Sequence, residues 1–167
     1  MRTCVAACFA ALLALTSCAA GGEELTSSGK GYPRPTIEFP AVTAPGSEQK
    51  AVLTIENPGP GDIPVLLVTF VMAAPASPGQ GFPVPIVNGG PGGKDPNVVS
   101  IDPEPDAVDA RGVNYRFGAL PEGETTSITF TLRVPKEAGP AGNAITVSDG
   151  SEVERARGVR LQTNVEG

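Results

Sequence analysis

Residues 125–134, Thr-Thr-Ser-Ile-Thr-Phe-Thr-Leu-Arg-Val, decide the fold of this 167-residue chain. Hydroxyl and charged side chains alternate there with four apolar ones, Ile128, Phe130, Leu132 and Val134. A period of two places the apolar side chains on one face of an extended strand, whereas a helix would distribute them around its axis. The segment is therefore predicted to be a β-strand with one buried face.

The same period recurs on both sides of this segment. Shorter strands with alternating apolar residues are predicted at 36–39, 49–57, 98–101, 113–117, 145–147 and 159–165. Residues 63–72 are apolar almost throughout, which predicts a strand buried on both faces. Turn-forming residues separate the strands, most densely at 57–62 and at Asp149-Gly150, a favoured hairpin dipeptide.

Helix is disfavoured by composition, because the chain holds 21 glycines and 18 prolines. An internal proline costs a helix about 3 kcal/mol and a glycine about 1 kcal/mol. Seven to eight short strands with turns between them predict an all-β fold, an antiparallel β-sandwich over residues 36–167.

Three segments resemble the Ig-like repeats of bacterial surface proteins. They are a strand and turn at 52–60 (VLTIENPGP), a turn at 118–125 (GALPEGET) that leads into the threonine-rich strand, and residues 138–147 (AGPAGNAITV). The resemblance implies an Ig-like sandwich that acts as a spacer, stalk or adhesive module and carries no catalytic residues. The chain differs from those repeats by having a single copy and an insertion at 73–97.

The N-terminus has the pattern of an export signal. Arg2 precedes an apolar run at 4–16, which is shorter than the roughly 20 residues that span a bilayer. Leu15-Thr16-Ser17-Cys18 resembles a bacterial lipobox, in which the cysteine is acylated and becomes the mature N-terminus. We therefore expect a cleaved lipoprotein signal peptide at 1–17 and a flexible tether at 18–35. An ordinary secretory signal and an uncleaved anchor are the alternatives.

The predicted lipid anchor and the composition together indicate where the protein lies in the cell and which classes of partner it could bind. A lipid on Cys18, such as palmitate, would attach the protein to the membrane of the bacterial cell envelope, on the extracytoplasmic face or cell surface. The net charge of −6 argues against nucleic acid and against a polybasic contact with anionic lipid. The chain has no histidine, and loss of Cys4 and Cys8 with the signal peptide would leave no free thiol, so no cofactor is expected.

An acidic segment is the only candidate metal site. Asp102, Glu104, Asp106 and Asp109 lie within eight residues, and oxygen-rich loops of this kind can hold Ca²⁺. The intervening prolines, however, stiffen the segment and prevent the tight turn of an EF-hand loop. A solvated acidic loop without metal is the alternative.

The insertion at 73–97 is the candidate contact for a partner. Six prolines and six glycines surround four large apolar residues, Phe82, Val84, Ile86 and Val87. Pro83 and Pro85 favour an extended, polyproline-like strip that loses little entropy on binding. A loose loop, or one that covers a sheet edge, is the alternative. We expect residues 75–96 to be dispensable for folding.

The sequence therefore predicts a lipid-anchored envelope protein that is not an enzyme. Its Ig-like domain would contact another protein or a cell-wall component. A small-ligand or metal-binding envelope lipoprotein is the alternative.

Overall fold

The computed structural model describes residues 31–150 and 156–167. The predicted signal peptide, Cys18 and most of the predicted tether lie outside these residues. The strands are β1 (Arg34–Glu38), β2 (Val42–Thr43), β3 (Glu48–Glu56), β4 (Leu66–Met72), β5 (Val98–Asp102), β6 (Ala107–Val108), β7 (Asn114–Phe117), β8 (Thr125–Arg133), β9 (Gly139–Ser148) and β10 (Arg157–Val165). A 3₁₀ turn spans Pro91–Gly93. In this part of the chain no helix has the length and apolar character needed to cross a membrane.

The strands form two sheets. One has the order β1-β3-β8-β5, and the other has the order β2-β10-β9-β4-β7-β6. All pairs are antiparallel except the short contact between β2 and β10. Eight strands have four or more residues, and β2 and β6 have two residues each. The predicted all-β class and Ig-like antiparallel sandwich are confirmed.

The core lies between the sheets and follows from the alternation in the strands. Ile128, Phe130 and Leu132 of β8 are buried against the matching residues of β3 and β4. Phe70, Tyr115 and Phe130 meet edge to face, with ring centroids 5.1–5.9 Å apart. Aromatic pairs in this arrangement add about 0.5–1.5 kcal/mol each beyond the burial of their area. The polar alternates of β3 and β8 point away from this core, as the period of two requires.

The two ends of the sandwich differ in what they carry. At the end here called the tether end, residues 31–33, 57–62 and 118–124 lie together, and the Gly31 N–H donates to the Asp62 carbonyl at 3.1 Å. Asn57 is buried there and donates to the carbonyls of Gly61 and Leu120, both at 3.0 Å. Two of the segments that carry the family resemblance therefore contact each other through this side chain.

The opposite end carries the insertion. β4 begins beside the tether end, because Leu66 pairs with Phe117 of β7. It therefore finishes, at Met72, at the far end of the sandwich, here called the insertion end, and residues 73–97 follow there. The folded part also begins earlier than residue 36, since β1 starts at Arg34 and Pro33 is already buried.

The prediction that residues 63–72 are buried on both faces is wrong. Leu66, Val68 and Phe70 are buried, but Val71 and Met72 at the end of β4 are exposed, Met72 by 70%. The outer face of the six-stranded sheet faces solvent, and β7 pairs with β4 only as far as Thr69. The last residues of β4 therefore have β9 as their only neighbouring strand.

Candidate functional site

The insertion divides into two parts with different surroundings. Ile86 and Val87 belong to the buried core, whereas Phe82 and Val84 are exposed by 71% and 39%. The prediction that all four residues are available to a partner is therefore wrong for Ile86 and Val87. Their side chains fill the insertion end of the core, which argues against the expectation that residues 75–96 are dispensable for folding.

Asn143 of β9 is the reason why Ile86 and Val87 can be buried. Its Oδ1 accepts hydrogen bonds from the Ile86 and Val87 N–H groups, at 3.1 and 2.9 Å. Its Nδ2 donates to the carbonyls of Val87 at 2.7 Å and of Val71 at 3.2 Å. Asn143 is itself fully buried. One side chain thus supplies the partners that these backbone groups would otherwise lack away from water.

Asp95 organises the residues that follow. Its carboxylate accepts from the N–H groups of Asn88 at 2.8 Å, of Asn97 at 2.7 Å, and of Gly89. The Asn97 side chain donates to the Ile86 carbonyl at 2.8 Å. Residues 86–97 are therefore a compact unit built on polar side chains rather than on a regular strand or helix.

The first part of the insertion is hydrogen-bonded to the sandwich through Val84. The Val84 N–H donates to the Pro140 carbonyl, and the Gly142 N–H donates to the Val84 carbonyl, both at 2.9 Å. Val84 thereby forms a parallel bridge with Ala141 of β9. The last residue of β4 to pair with β9 is Met72, opposite Asn143, and Val84 pairs with β9 directly beyond that point.

Exposed apolar side chains meet at this junction. Met72 lies opposite Asn143, and Val84 lies opposite Ala141, two residues away on the same strand, a spacing of about 7 Å. Phe82 precedes Val84 by two residues, whereas Val71, next to Met72 in β4, points to the opposite face of the sheet. Met72, Phe82 and Val84 are here called the insertion patch. They are three of the seven exposed large hydrophobic residues found among residues 31–150 and 156–167.

A groove of about 480 Å³ lies beside the insertion patch. The residues that line it are all uncharged: Ala41, Ala76, Gln80, Gly81, Pro83, Pro140, Ala141, Gln162, Thr163 and Asn164. The groove and the patch are adjacent, since Gly81 and Pro83 flank Phe82 in the chain. The groove and the patch therefore form an uncharged surface on an acidic protein.

The predicted calcium site is not assembled. Asp109 is committed to its own turn, where its carboxylate accepts from Val113 N–H at 2.9 Å, from Asn114 N–H at 3.1 Å and from Asn114 Nδ2 at 2.7 Å. Asp102, Glu104 and Asp106 are exposed. Within the described ranges no three such ligands are placed to hold a metal ion. The alternative of a solvated acidic loop fits Asp102, Glu104 and Asp106.

The pKa values around this turn reflect the same contacts. Desolvation alone would raise the pKa of Asp109, but hydrogen bonds from Val113, Asn114 and Gly112 outweigh it and hold this pKa below its usual value. Burial, followed by the negative charges of Asp95 and Asp109, raises the pKa of Tyr115. The Tyr115 hydroxyl donates to the Gly112 carbonyl. Both groups therefore stabilise the turn at 109–113, which holds the insertion through hydrogen bonds to Gly90 and Gly93.

Sequence reasoning missed Met72 as a member of the patch. The continuous apolar run at 63–72 concealed the alternation, because exposed and buried positions are both apolar. The only signal was the shortness of the neighbouring segment at 113–117, which cannot cover the full length of a ten-residue strand.

Comparisons with known proteins find distantly similar structures and no family. No family model and no curated protein matches the sequence. Among solved structures, a CARDB domain of a Pyrococcus furiosus protein in complex with di-metal ions is 14% identical, with 86% of this chain and 97% of that chain covered and a TM-score of 0.47. A cohesin module from a Clostridium perfringens family 33 glycoside hydrolase is 13% identical, with 82% and 100% covered and a TM-score of 0.38. A Listeria innocua β-glucosidase is 16% identical and has a TM-score of 0.34, with 81% of this chain and 17% of the enzyme covered.

These identities lie below 25% and the TM-scores below 0.5, so the similarities carry no argument about what the chain binds or catalyses. The strand order and pairing on their own establish the architecture. The chain is an Ig-like, two-sheet β-sandwich whose insertion supplies part of its core, Ile86 and Val87, and two exposed apolar side chains, Phe82 and Val84.

Proposed function

We propose that this protein is a non-catalytic binding module of the bacterial cell envelope, attached to the membrane through a lipid on Cys18. Its insertion patch contacts another protein or a cell-wall component on the extracytoplasmic side. The proposal joins two observations, the lipobox-like residues 15–18 and the exposed apolar side chains at the insertion end.

The insertion patch is the single observation that carries the binding role. Exposed apolar side chains scattered singly need no explanation, whereas a contiguous group marks an interaction site. Phe82 is the largest of the three, and a ring exposed by 71% would bury a large area on contact. The groove beside the patch has no charged residue in its lining, so it suits a partner surface that is itself mostly uncharged.

The position of the patch agrees with anchoring at the other end. The chain enters the sandwich at Gly31, at the tether end, and the patch lies at the opposite end. The stretch from Cys18 to Gly31 can span at most about 45 Å when fully extended. Lipid attachment at Cys18 would therefore hold the tether end near the membrane and present the patch away from it.

The negative charges of the tether end bear on its distance from the membrane. Asp62, Glu122 and Glu124 lie in the turns of the tether end, and Glu104 and Asp106 line a cavity shared with Gly118 and Leu120 of that end. Carboxylates near an anionic lipid surface are repelled by it within about a Debye length, roughly 8–10 Å. The tether end would therefore stand off the membrane rather than lie on it.

Site-specific photo-crosslinking in the native host tests the binding role. A photoreactive residue at position 82 or 72 should give the same discrete adduct. The matched control is position 36, which is exposed on β1 of the other sheet. Adducts of equal yield at 36 and 82, or none at 82 and 72, would contradict the proposal.

Phase partitioning tests the anchor separately. The intact protein should partition into the detergent phase, and Cys18→Ser should move it to the aqueous phase or leave it unprocessed. Unchanged membrane association of the Cys18→Ser variant would overturn lipid anchoring without affecting the binding role of the patch.

A further inference from the structure

A second surface lies on one side of the sandwich, where the edges of the two sheets meet. β5 ends the four-stranded sheet and β6 ends the six-stranded sheet. A groove of about 730 Å³ separates them, lined by residues of β5, by Val108 of β6 and by Tyr115. It is here called the edge groove. It is separate from the insertion patch, with which it shares no residue.

The backbone of β5 has a partner on one side only. β8 pairs with it through Val98, Ser100, Ile101 and Asp102. The Val98 N–H is also occupied, since it donates to the Asp95 carbonyl at 3.2 Å. In the part of the chain that the structure describes, residues 99–102 form no backbone hydrogen bond outside the β8 ladder. An edge of this kind exposes N–H and C=O groups in the spacing that another strand needs.

The side chains of the groove suit a strand as well. Val99 and Val108 are exposed by 43% and 40%, on opposite walls. Val98 and Ile101 pack partly against the core, and the Tyr115 ring lies at the floor. The β5 residues 98–101 are Val-Val-Ser-Ile, with no charge or proline to block an incoming strand. An added strand would thus find both backbone partners and apolar contacts.

The two ends of the edge groove carry charges of opposite sign. Lys94 lies at its insertion end, and Glu104 lies at the end toward the tether, in the same acidic segment as Asp102 and Asp106. An antiparallel neighbour of β5 would begin beside the carboxylates and finish beside Lys94. Its complementary charges are therefore basic at its N-terminal end and acidic at its C-terminal end.

We propose that the edge groove binds an extended segment of another protein, which adds to β5 as an antiparallel strand. The segment carries alternating β-branched side chains, with a lysine or arginine before them. Backbone hydrogen bonds would supply affinity, and the apolar groove and the acidic end would supply selectivity, as in other cases of strand addition.

The β-bulge of β5 restricts this site to selected partners. The register shifts between Val98 and Ser100, so the regular part of the edge is short. Bulges protect edges against indiscriminate pairing because they twist the strand locally. A segment that gains only backbone hydrogen bonds would bind poorly here, and contacts in the groove must complete the interaction.

Two peptides of identical composition test the proposal on the full-length protein. The first is acetyl-Lys-Thr-Val-Thr-Val-Thr-Glu-amide, and the second exchanges its lysine and glutamate. The measurement is the change in amide chemical shifts of residues 99–102 during titration. The lysine-first peptide should bind about fivefold more tightly, because two favourable charge pairs replace two unfavourable ones.

Two matched variants locate the site. Val99→Lys places a charge on the edge and should weaken binding of the lysine-first peptide by about tenfold. Val42→Lys makes the same change at an exposed valine of β2 and should leave binding unchanged. Both positions are exposed, so both variants are expected to fold.

Several results would overturn the proposal. They are equal affinity for the two peptides, no shift of residues 99–102 at millimolar peptide, and wild-type affinity in the Val99→Lys variant. Dimerisation of the protein through residues 99–102 in the absence of peptide would assign the edge to a second copy of this chain instead. None of these outcomes depends on the insertion patch.

Discussion

The two parts of the insertion have similar compositions and opposite environments. Residues 73–84 and 85–97 are both rich in proline and glycine. The first part is mostly exposed and meets β9 through Val84, whereas the second places Ile86 and Val87 in the core. Glycine and proline content alone therefore does not decide whether a segment is a surface loop or part of the core.

What differs is the supply of hydrogen-bond partners. Backbone groups can leave water only where something replaces it. Asn143, Asp95 and Asn97 do so for the second part, through side chains that accept or donate seven hydrogen bonds. In the described residues the first part has no comparable side chain, and its two large apolar residues, Phe82 and Val84, remain at the surface.

Among the substitutions considered, removal of the Asn143 amide should destabilise the protein most, because this amide holds the second part of the insertion in the core. Asn143→Ala leaves two N–H and two C=O groups of Val71, Ile86 and Val87 without that partner. A buried group that loses its partner costs about 1–3 kcal/mol, so we expect the free energy of unfolding to fall by roughly 4 kcal/mol. Urea unfolding measures it.

Asn164→Ala is the matched control for this experiment. Asn164 is exposed on the neighbouring β10 and donates a single side-chain hydrogen bond, to Glu166 at 2.7 Å. Its loss should cost less than about 1 kcal/mol. If the two variants were equally stable, Asn143 would not be what holds the second part of the insertion in the core.

Truncation of Ile86 should have the next largest effect. The residue is fully buried, and Ile→Ala in a core costs about 2–5 kcal/mol through lost burial and the cavity that remains. Val84→Ala, two residues earlier and exposed by 39%, should cost well under half of that amount. Thermal melting curves of the two variants measure the loss of stability in each. A small loss for Ile86→Ala would mean that the Ile86 side chain does not pack in the core.

Much of the fold could be predicted because alternation is a local property. β3 and β8 follow their apolar period to within a residue at either end. The predicted turn at 57–62 and the turn at 118–125 also lie between strands as expected, and the structure shows that they meet through Asn57. The prediction for β4 was wrong because the outer face of this strand is apolar but not covered. A continuous apolar run in the sequence does not distinguish a strand covered on both faces from a strand covered on one.

The candidate site could be predicted only in part, for a different physical reason. Phe82 and Val84 were correctly expected at the surface, and the prolines around them suggested an extended strip. Ile86 and Val87 were not separable from them, because their burial depends on Asn143, which lies more than fifty residues away in the chain. A partner so distant leaves no periodic signal in the sequence.

A smaller effect should come from Asp109, whose turn contacts the second part of the insertion. Its pKa is lower in the folded than in the unfolded protein, so its contribution to stability is full above its unfolded pKa, about 3.9, and is lost as pH falls through the folded value. The stability difference between the wild type and Asp109→Asn should therefore be constant near neutral pH and shrink in acid. Urea midpoints across this pH range measure it.

The same substitution at Asp102 controls for the removal of one carboxylate. Asp102 is exposed and lies outside the turn at 109–113. A stability difference for Asp109→Asn that does not vary with pH would mean that the hydrogen bonds from Val113 and Asn114 do not depend on the charge of this carboxylate.

Phe82→Ala should change stability least, and this is the sharpest contrast within the insertion. A phenylalanine truncated in a core costs about 3–5 kcal/mol, whereas a surface substitution usually stays within about 0.5 kcal/mol. Phe82 is 71% exposed, so its ring has little burial to lose. The urea midpoint should match that of the wild type, although the photo-crosslinking partner is lost from the neighbouring position 72. A fall in stability as large as that of Ile86→Ala would mean that Phe82 packs on the sandwich, and the insertion patch would then lose its largest exposed side chain.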